Sequence, residues 1–351
     1  MTLVNARFLT QSTTGTQRFA TEISRELLDL RPDLTLAVPP GPFDAAGLDP
    51  HRIVQIGRRG GRAWEHLDLP LYARRQRRLL LTLSGTGPLW YRPQISTQTD
   101  ITYVRHPESF GRRFRLLYGF IVPRVVAHSE HLLTISEFSR SELASHFGVP
   151  RERYTVIPCA ADARFHPGEV PPEPGGRPYF LAVSSPNAHK NFERMLAAFA
   201  LFSPSHPGVE LRVVGSQTNS FSRQQYTAGE GVRFLGRVDD DELTALYRGA
   251  LAFLFPSLYE GFGIPPVEAQ QCGCPVIAAR AASLPEVLGD SAVWVDPHDE
   301  SDMAAAMTRV ADDENLRAQL TAAGLRNAGR YSWRKSAERV SAVIDQVVNA
   351  R

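Results

Sequence analysis

Cysteine is scarce. Cys159, Cys272 and Cys274 are the only three in 351 residues, too few for a disulfide framework. The Cys-x-Cys pair has no second pair with which to complete a zinc site, so all three are expected as small buried hydrophobes. Long apolar runs are missing too: none approaches the roughly 20 residues that cross a bilayer. Residues 1–9 are too short for a secretory signal and lack its basic start. A cytoplasmic protein is therefore expected. Acidic residues are thin in the front half, where 15 Asp or Glu face 22 basic residues up to Phe165; from His166 onward the balance reverses, 22 against 17. The basic residues are almost all arginine, gathered at Arg58, Arg59 and Arg62, at Arg74, Arg75, Arg77 and Arg78, and at Arg112, Arg113 and Arg115. No aromatic platform or recognised nucleic-acid motif accompanies them, so nucleic acid is not an expected partner. A solvated face and attraction to an anionic surface both remain open.

The chain is 43% apolar and 22% charged, the composition of a soluble globular protein. Its length exceeds what one core usually fills, which predicts two domains. Short apolar runs at 3–8, 34–38, 53–56, 79–83, 101–104 and 132–135 read as strands, with a helical pattern over 18–30 and a helix from Ser136 to just before Gly148. Residues 168–178, dense in proline and glycine, predict a boundary. A second series of strands and helices starts at Tyr179. Alternation of this kind predicts two doubly wound α/β domains.

The most informative stretch is 251–279, LAFLFPSLYEGFGIPPVEAQQCGCPVIAA. It reads as a buried strand, a loop holding Glu260, Gly261, Phe262 and Gly263, a helix opened by Pro265 and Pro266, and a further strand. A glycine-rich loop between the carboxyl end of a parallel strand and a helix N-terminus suits a phosphate, and glycines let the backbone approach it closely. Glu268 lies about one turn into that helix, within reach of a bound sugar. Lys190, near the predicted helix 192–202, opposes the helix dipole unless an anion offsets it.

Glu260 and Glu268, set in P-S-x-x-E-G-F-G-x-P-x-x-E-A, resemble the Glu-x7-Glu signature of the retaining glycosyltransferases of family 4, which have the GT-B fold. Further matches run along nearly the whole chain. Thr14-Gly15-Thr16-Gln17-Arg18-Phe19 resembles the family's N-terminal G-x-x-R loop, with Gln17 where many relatives have a second glycine. Lys190-Asn191 resembles the end of V-G-R-x-x-x-R-K-[GN], although Ser184 and Ser185 stand where Gly-Arg is frequent, and 232–247 resembles the segment bordering the nucleobase.

The resemblance implies two facing Rossmann-like domains with a cleft. An acceptor-binding domain would span 1–167, completed by a C-terminal helix of about 334–351, and a nucleotide-sugar domain 168–333. It implies transfer of a hexose, mannose or similar, from a GDP- or UDP-linked sugar to a glycan or lipid-linked acceptor in polysaccharide or lipopolysaccharide biosynthesis. Glu260 and His106 would contact the donor sugar as catalytic residues. Lys190, Gly15, Ser185, Gly261, Phe262 and Gly263 would face the diphosphate, Glu268 the ribose and Arg237 the nucleobase. No metal and no cofactor beyond the sugar nucleotide is implied. Lipid-linked acceptors would also give the arginine clusters an anionic membrane leaflet as a target. The rival readings are an epimerase or phosphorylase on the same fold, and a nucleotide-sugar sensor without turnover.

Overall fold

The structure, a computed structural model, describes residues 1–169, 176–183, 187–215 and 230–350. Two compact units divide the chain: residues 1–159 with the C-terminal segment from Ser332 onward, and residues 160–331. In the first, β1 (Thr2–Asn5), β2 (Leu34–Val38), β3 (Ile53–Gln55), β4 (Leu79–Thr82), β5 (Gln94–Thr97), β6 (His131–Thr134) and β7 (Tyr154–Val156) form one parallel sheet in the order β3-β2-β1-β4-β5-β6-β7. In the second, β8 (Tyr179–Val183), β9 (Glu210–Val214), β10 (Val232–Gly236), β11 (Ala252–Phe255), β12 (Val276–Ala279) and β13 (Val293–Val295) lie in the order β10-β9-β8-β11-β12-β13. Each order grows outward in both directions from its first strand. The loops leaving β1 and β4, and those leaving β8 and β11, therefore diverge at a switch point where such sheets bind ligands.

Central strands covered on both faces must be apolar throughout, and LLLT of β4 and AFLF of β11 are buried at every position. Trp64 anchors one core beside Leu3, Leu69 and Leu80, its indole N–H donating to the Ile56 carbonyl at 2.8 Å. The other core gathers Phe180, Phe199, Phe202, Leu211 and Ile277. The helix Glu137–Phe147 forms as expected, with Ser136 Oγ accepting from the Ser139 N–H at 3.0 Å and Gly148 closing it at φ 62°.

The helix Trp333–Asn349 belongs to the N-terminal unit. It buries Val340, Val343, Ile344 and Val347, one apolar stripe at helical spacing. Trp333 meets Phe19 of the helix Gly15–Leu30 edge-on at 6.0 Å, and Arg31 donates to Asp345 Oδ1 at 2.7 Å.

One expected strand is corrected. Residues 101–104 are not extended: Thr102–Arg105 is a short helix, because Asp100 Oδ1 accepts from the Thr102 N–H at 2.8 Å and starts a helical turn. The strand at that place in the sheet is β5, read as QIST. Its polar side chains hid it from an apolar pattern, although all four are buried. Gln94 donates to the Pro88 carbonyl at 2.9 Å and Ser96 shares a hydrogen bond with Ser129 at 2.7 Å, which offsets their burial in part; Gln94 Oε1 and Thr97 Oγ1 are buried without a partner.

Candidate functional site

In the C-terminal unit the loops leaving β8 and β11 are stitched together at the switch point. The Leu258 N–H donates to the His189 carbonyl at 2.8 Å, and Asn191 Nδ2 donates to the carbonyls of Pro256 at 3.1 Å and Pro297 at 2.6 Å. Asn191 itself is left-handed, φ 58°. Glycine and asparagine tolerate that backbone best, which explains why a lysine followed by either fits this loop. The turn Ala188–Lys190 brings Lys190 Nζ to within 2.6 Å of Glu260 Oε1. The two side chains are 24% and 14% exposed, so the pair is shielded but reachable. Lys190 Nζ also lies 5.6 Å from the centre of the Phe255 ring. Part-buried ion pairs roughly break even in folding energy, so the arrangement is better explained by chemistry than by stability. Lysine occurs only twice among the 39 basic residues of the chain, at Lys190 and Lys335. One of the two sits here.

Beyond Glu260 the backbone is shaped for close approach. The Ser283 hydroxyl donates to the Glu260 carbonyl at 2.9 Å and fixes the loop. Gly263, φ 92°, precedes the helix Ile264–Gln271, and a Cβ at Gly263 would lie 2.8 Å from Leu284 Cδ2. Any other residue would be strained at that φ, and Leu284 would have to shift to admit it. Gly261 is not among the left-handed positions, so only one of the two loop glycines is used for its backbone freedom. Phe262 is buried and packs edge-on against Tyr331 at 5.2 Å, leaving its backbone as the part that can meet a ligand. Pro265 and Pro266 have no backbone N–H, so at the start of this helix the N–H groups of Gly263 and Ile264 are the ones that lack helical partners by geometry and suit an anion.

Glu268 departs from expectation. Expected within reach of a bound sugar, Glu268 is only 5% exposed, on a helix whose neighbouring Gln270 donates to Ser291 Oγ at 2.7 Å and accepts from Asn327 Nδ2 at 2.7 Å. Arg237 follows the end of β10 and is exposed, and the Gly215 N–H donates to the Gly236 carbonyl at 2.8 Å to tie the ends of β9 and β10. Ser185 lies outside the described residues. In the N-terminal unit Gly15 opens the helix Gly15–Leu30. His106 follows the corrected helix Thr102–Arg105 rather than a strand, with its Nδ1 2.9 Å from Glu108 Oε1. It remains in the connection after β5, at the ligand-binding end of the sheet.

All three cysteines are buried and free, and burial pushes the Cys272 thiol up to about 12. The sequence has one acidic triplet with Asp-x-Asp spacing, Asp239-Asp240-Asp241. Asp239 caps the helix Asp240–Gly249 by accepting from the Glu242 N–H at 2.8 Å, and Asp240 pairs with Arg164 at 2.9 Å. Among the described residues no cluster of His, Cys, Asp or Glu could hold a metal.

Sequence reasoning missed a second constellation. The N-terminal unit has its own cavity of about 720 Å³ at the switch point, reached by the loops after β1, β4 and β5. Arg7 lines it and pairs at 3.2 Å with Glu65, whose side chain is fully buried. A charged residue two positions after a wholly buried strand was the available signal.

Residues 13–165 match the model of Glycosyltransferase Family 4, and residues 168–326 that of Glycosyl transferases group 1. O-antigen chain mannosyltransferase B of Escherichia coli is 33% identical over 268 residues, 70% of this chain and 70% of that protein. The chain belongs to glycosyltransferase family 4.

Solved structures agree on the fold of this glycosyltransferase. Sucrose-phosphate synthase from Thermosynechococcus elongatus superposes with a TM-score of 0.78 at 19% identity, covering 100% of this chain and 99% of that one. HepE of Anabaena, solved with UDP-glucose, gives 0.75 at 16% identity, covering 98% of each chain. The two parallel α/β units are those of the GT-B fold. No helix among the described residues is long and apolar enough to cross a membrane.

Proposed function

We propose that this glycosyltransferase moves mannose or a closely related hexose, with retention, from a GDP- or UDP-linked donor to a hydroxyl of a glycan or lipid-linked acceptor in cell-surface polysaccharide assembly. The observation that carries the proposal is the 2.6 Å approach of Lys190 Nζ to Glu260 Oε1 at the switch point, beside the helix that starts after Gly263. Breaking the anomeric C–O bond leaves positive charge on the sugar ring and negative charge on the departing diphosphate. Lys190 and the backbone N–H groups of Gly263 and Ile264 meet the negative charge, and Glu260 meets the positive one, in preformed positions that need no reorganisation. Glu268 contacts the donor ribose, and Arg237 borders the base. A lysine and a helix N-terminus supply the cationic support that transferases of other designs take from a metal, so no metal is required.

Mannose is favoured by the E. coli relative's name, and a UDP-linked donor is kept open by the HepE complex. Release of nucleoside diphosphate is to be followed with each sugar nucleotide, with and without acceptor, in magnesium and in EDTA. Acceptor-dependent release that persists in EDTA, with the product's anomeric configuration retained by NMR, is expected. Release without any acceptor would favour an epimerase-like chemistry, and donor binding without release a sensor.

A further inference from the structure

β13 closes one side of the sheet in the C-terminal unit, and among the described strands it pairs only with β12. On the β12 side the Val295 carbonyl accepts from the Arg280 N–H at 2.9 Å. Backbone groups alternate in direction along a strand, so the N–H and carbonyl of Trp294 point outward, away from β12. Among the described residues none bonds to either. Two positions on, the Asp296 N–H is already met by Asp302 Oδ2 at 2.8 Å. An open strand edge is a template for a further strand, and folded proteins cover it or charge it.

Ala292, Val293 and Trp294 line a groove of about 800 Å³ along this edge, together with residues of the helices Glu300–Asp312 and Glu314–Ala328. Leu316 and Leu320 give it an aliphatic surface beside the half-buried Trp294 ring. Three arginines also line it. The Arg280 guanidinium lies 5.4 Å from the centre of the Trp294 ring, and Arg309 and Arg326 come from the two helices. All three are exposed, and none forms an ion pair with a described residue. The one acid among the lining residues is Asp290. Asp312, at the end of the first helix, turns instead to His206 Nε2 at 3.0 Å. The three cations are thus gathered in the half of the chain where, from His166 onward, acids outnumber bases by 22 to 17.

We propose that this groove docks an extended acidic segment of a partner protein. Its backbone continues the sheet at Trp294, its apolar side chains lie against Leu316 and Leu320, and its carboxylates meet Arg280, Arg309 and Arg326. Main-chain bonds to a sheet edge hold such a segment, and the side chains beside it select the sequence. Guanidinium groups match carboxylates in geometry as well as charge. A second copy of this chain is the poorer occupant. A two-fold contact edge to edge is self-complementary, so it would set these arginines against their own equivalents. The groove lies two strands outward from β11, which leads into the loop of Glu260, so the docking surface is separate from the transfer site.

The test uses the full chain and a fluorescein-labelled eight-residue peptide of alternating glutamate and valine, followed by anisotropy. The peptide should bind, and more weakly as salt screens the contacts, while its lysine–valine counterpart should not. Arg309→Glu and Arg326→Glu should each weaken binding roughly 5- to 30-fold, an attraction exchanged for a repulsion. GDP and UDP binding should be unchanged in both variants. Hydrogen exchange at the Trp294 amide should slow in the bound state, which charge attraction alone would not produce. Absence of binding at millimolar peptide, equal binding of the lysine–valine peptide, indifference to both reversals, or unslowed exchange at Trp294 would each overturn the proposal. Loss of GDP and UDP binding in the variants would overturn it too, by tying the arginines to the donor site. So would displacement of the peptide by an equal concentration of pyrophosphate, the mark of a small-anion pocket. A dimer in sedimentation velocity that Arg309→Glu disperses would make the occupant a second copy, and would equally overturn it.

Discussion

At the scale of single residues, three side chains of the C-terminal unit carry separable predictions. Lys190→Ala removes the cation from a shielded site, and a charge-assisted contact to diphosphate there contributes roughly 2–4 kcal/mol. Calorimetry should show the nucleoside diphosphate bound tens- to several-hundred-fold more weakly; unchanged affinity would remove Lys190 from the site. Glu260→Gln and Glu268→Gln should differ in kind. An interaction that strengthens as the bond breaks changes turnover, while one that is equal in ground and transition states changes mainly KM. Glu260, paired with Lys190, belongs to the first class, and its amide variant should lose about a hundredfold in kcat. Glu268 should chiefly raise KM for the donor. Because Glu268 is buried, a circular-dichroism melt must accompany its kinetics, and normal turnover of the Glu260 variant would refute the assignment.

The residues at this site were legible in the sequence because Glu260, Glu268 and Lys190 lie in short motifs whose order the β–loop–α unit preserves. What could not be read was environment. Glu268 is buried on a helix that is anchored by Gln270 meeting Asn327, 57 residues away. The Arg7–Glu65 pair joins residues separated by 58 positions through the adjacency of β1 and β4. No local pattern encodes such contacts.

At the scale of elements, the polar strand β5 and its neighbour β6 show why an apolar pattern was an incomplete guide. His131 in β6 is buried, bonds Thr155 Oγ1 through Nε2 at 2.8 Å, and has its pKa lowered by burial and then by Arg153. A histidine whose folded pKa is depressed stays neutral in the fold while the unfolded chain takes up a proton. Stability is therefore fully present above about pH 6.5 and falls as pH drops from there toward the folded value. His66, also lowered by burial first, adds in the same direction. Urea midpoints should decline between about pH 7 and 5, and His131→Gln should flatten that slope. A slope identical to the wild type would mean His131 is not the group responsible.

The helix Arg112–His128 carries a second element-scale expectation. Leu116 and Phe120 are 67% and 49% exposed, one turn apart, with Arg112, Arg113 and Arg115 exposed at the same end. Apolar tips among arginines suit the interface of an anionic bilayer, where each well-placed cation contributes about 1 kcal/mol and salt screens it. Sedimentation with phosphatidylglycerol vesicles should retain the protein at low salt and release it at high salt, and Leu116→Glu should weaken binding. No binding at low salt would leave the cluster as a solvated face.

At the scale of the whole molecule, the N-terminal unit is assembled from both ends of the chain. The first 159 residues supply all seven strands of its sheet, but the helix Gly15–Leu30 packs against the helix Trp333–Asn349 from the far end, which buries Val340, Val343, Ile344 and Val347. The Ser336 hydroxyl adds a bond to the Pro158 carbonyl at 2.7 Å, and Arg31 reaches Asp345. Burying a large aliphatic or aromatic side chain stabilises by about 1.5–3 kcal/mol, so losing this helix should remove an amount comparable to the 5–15 kcal/mol by which an ordinary domain is stable. The C-terminal unit keeps its sheet and the Lys190–Glu260 pair within residues 160–331. A chain ending at Tyr331 should therefore show two behaviours at once. Hydrogen exchange should find β1 to β7 unprotected while β8 to β13 stay protected, and nucleoside diphosphate should still bind with the affinity of the full chain as hexosyl transfer is lost. Protection of the first sheet in the truncated chain would show that the C-terminal helix only decorates a unit already stable without it.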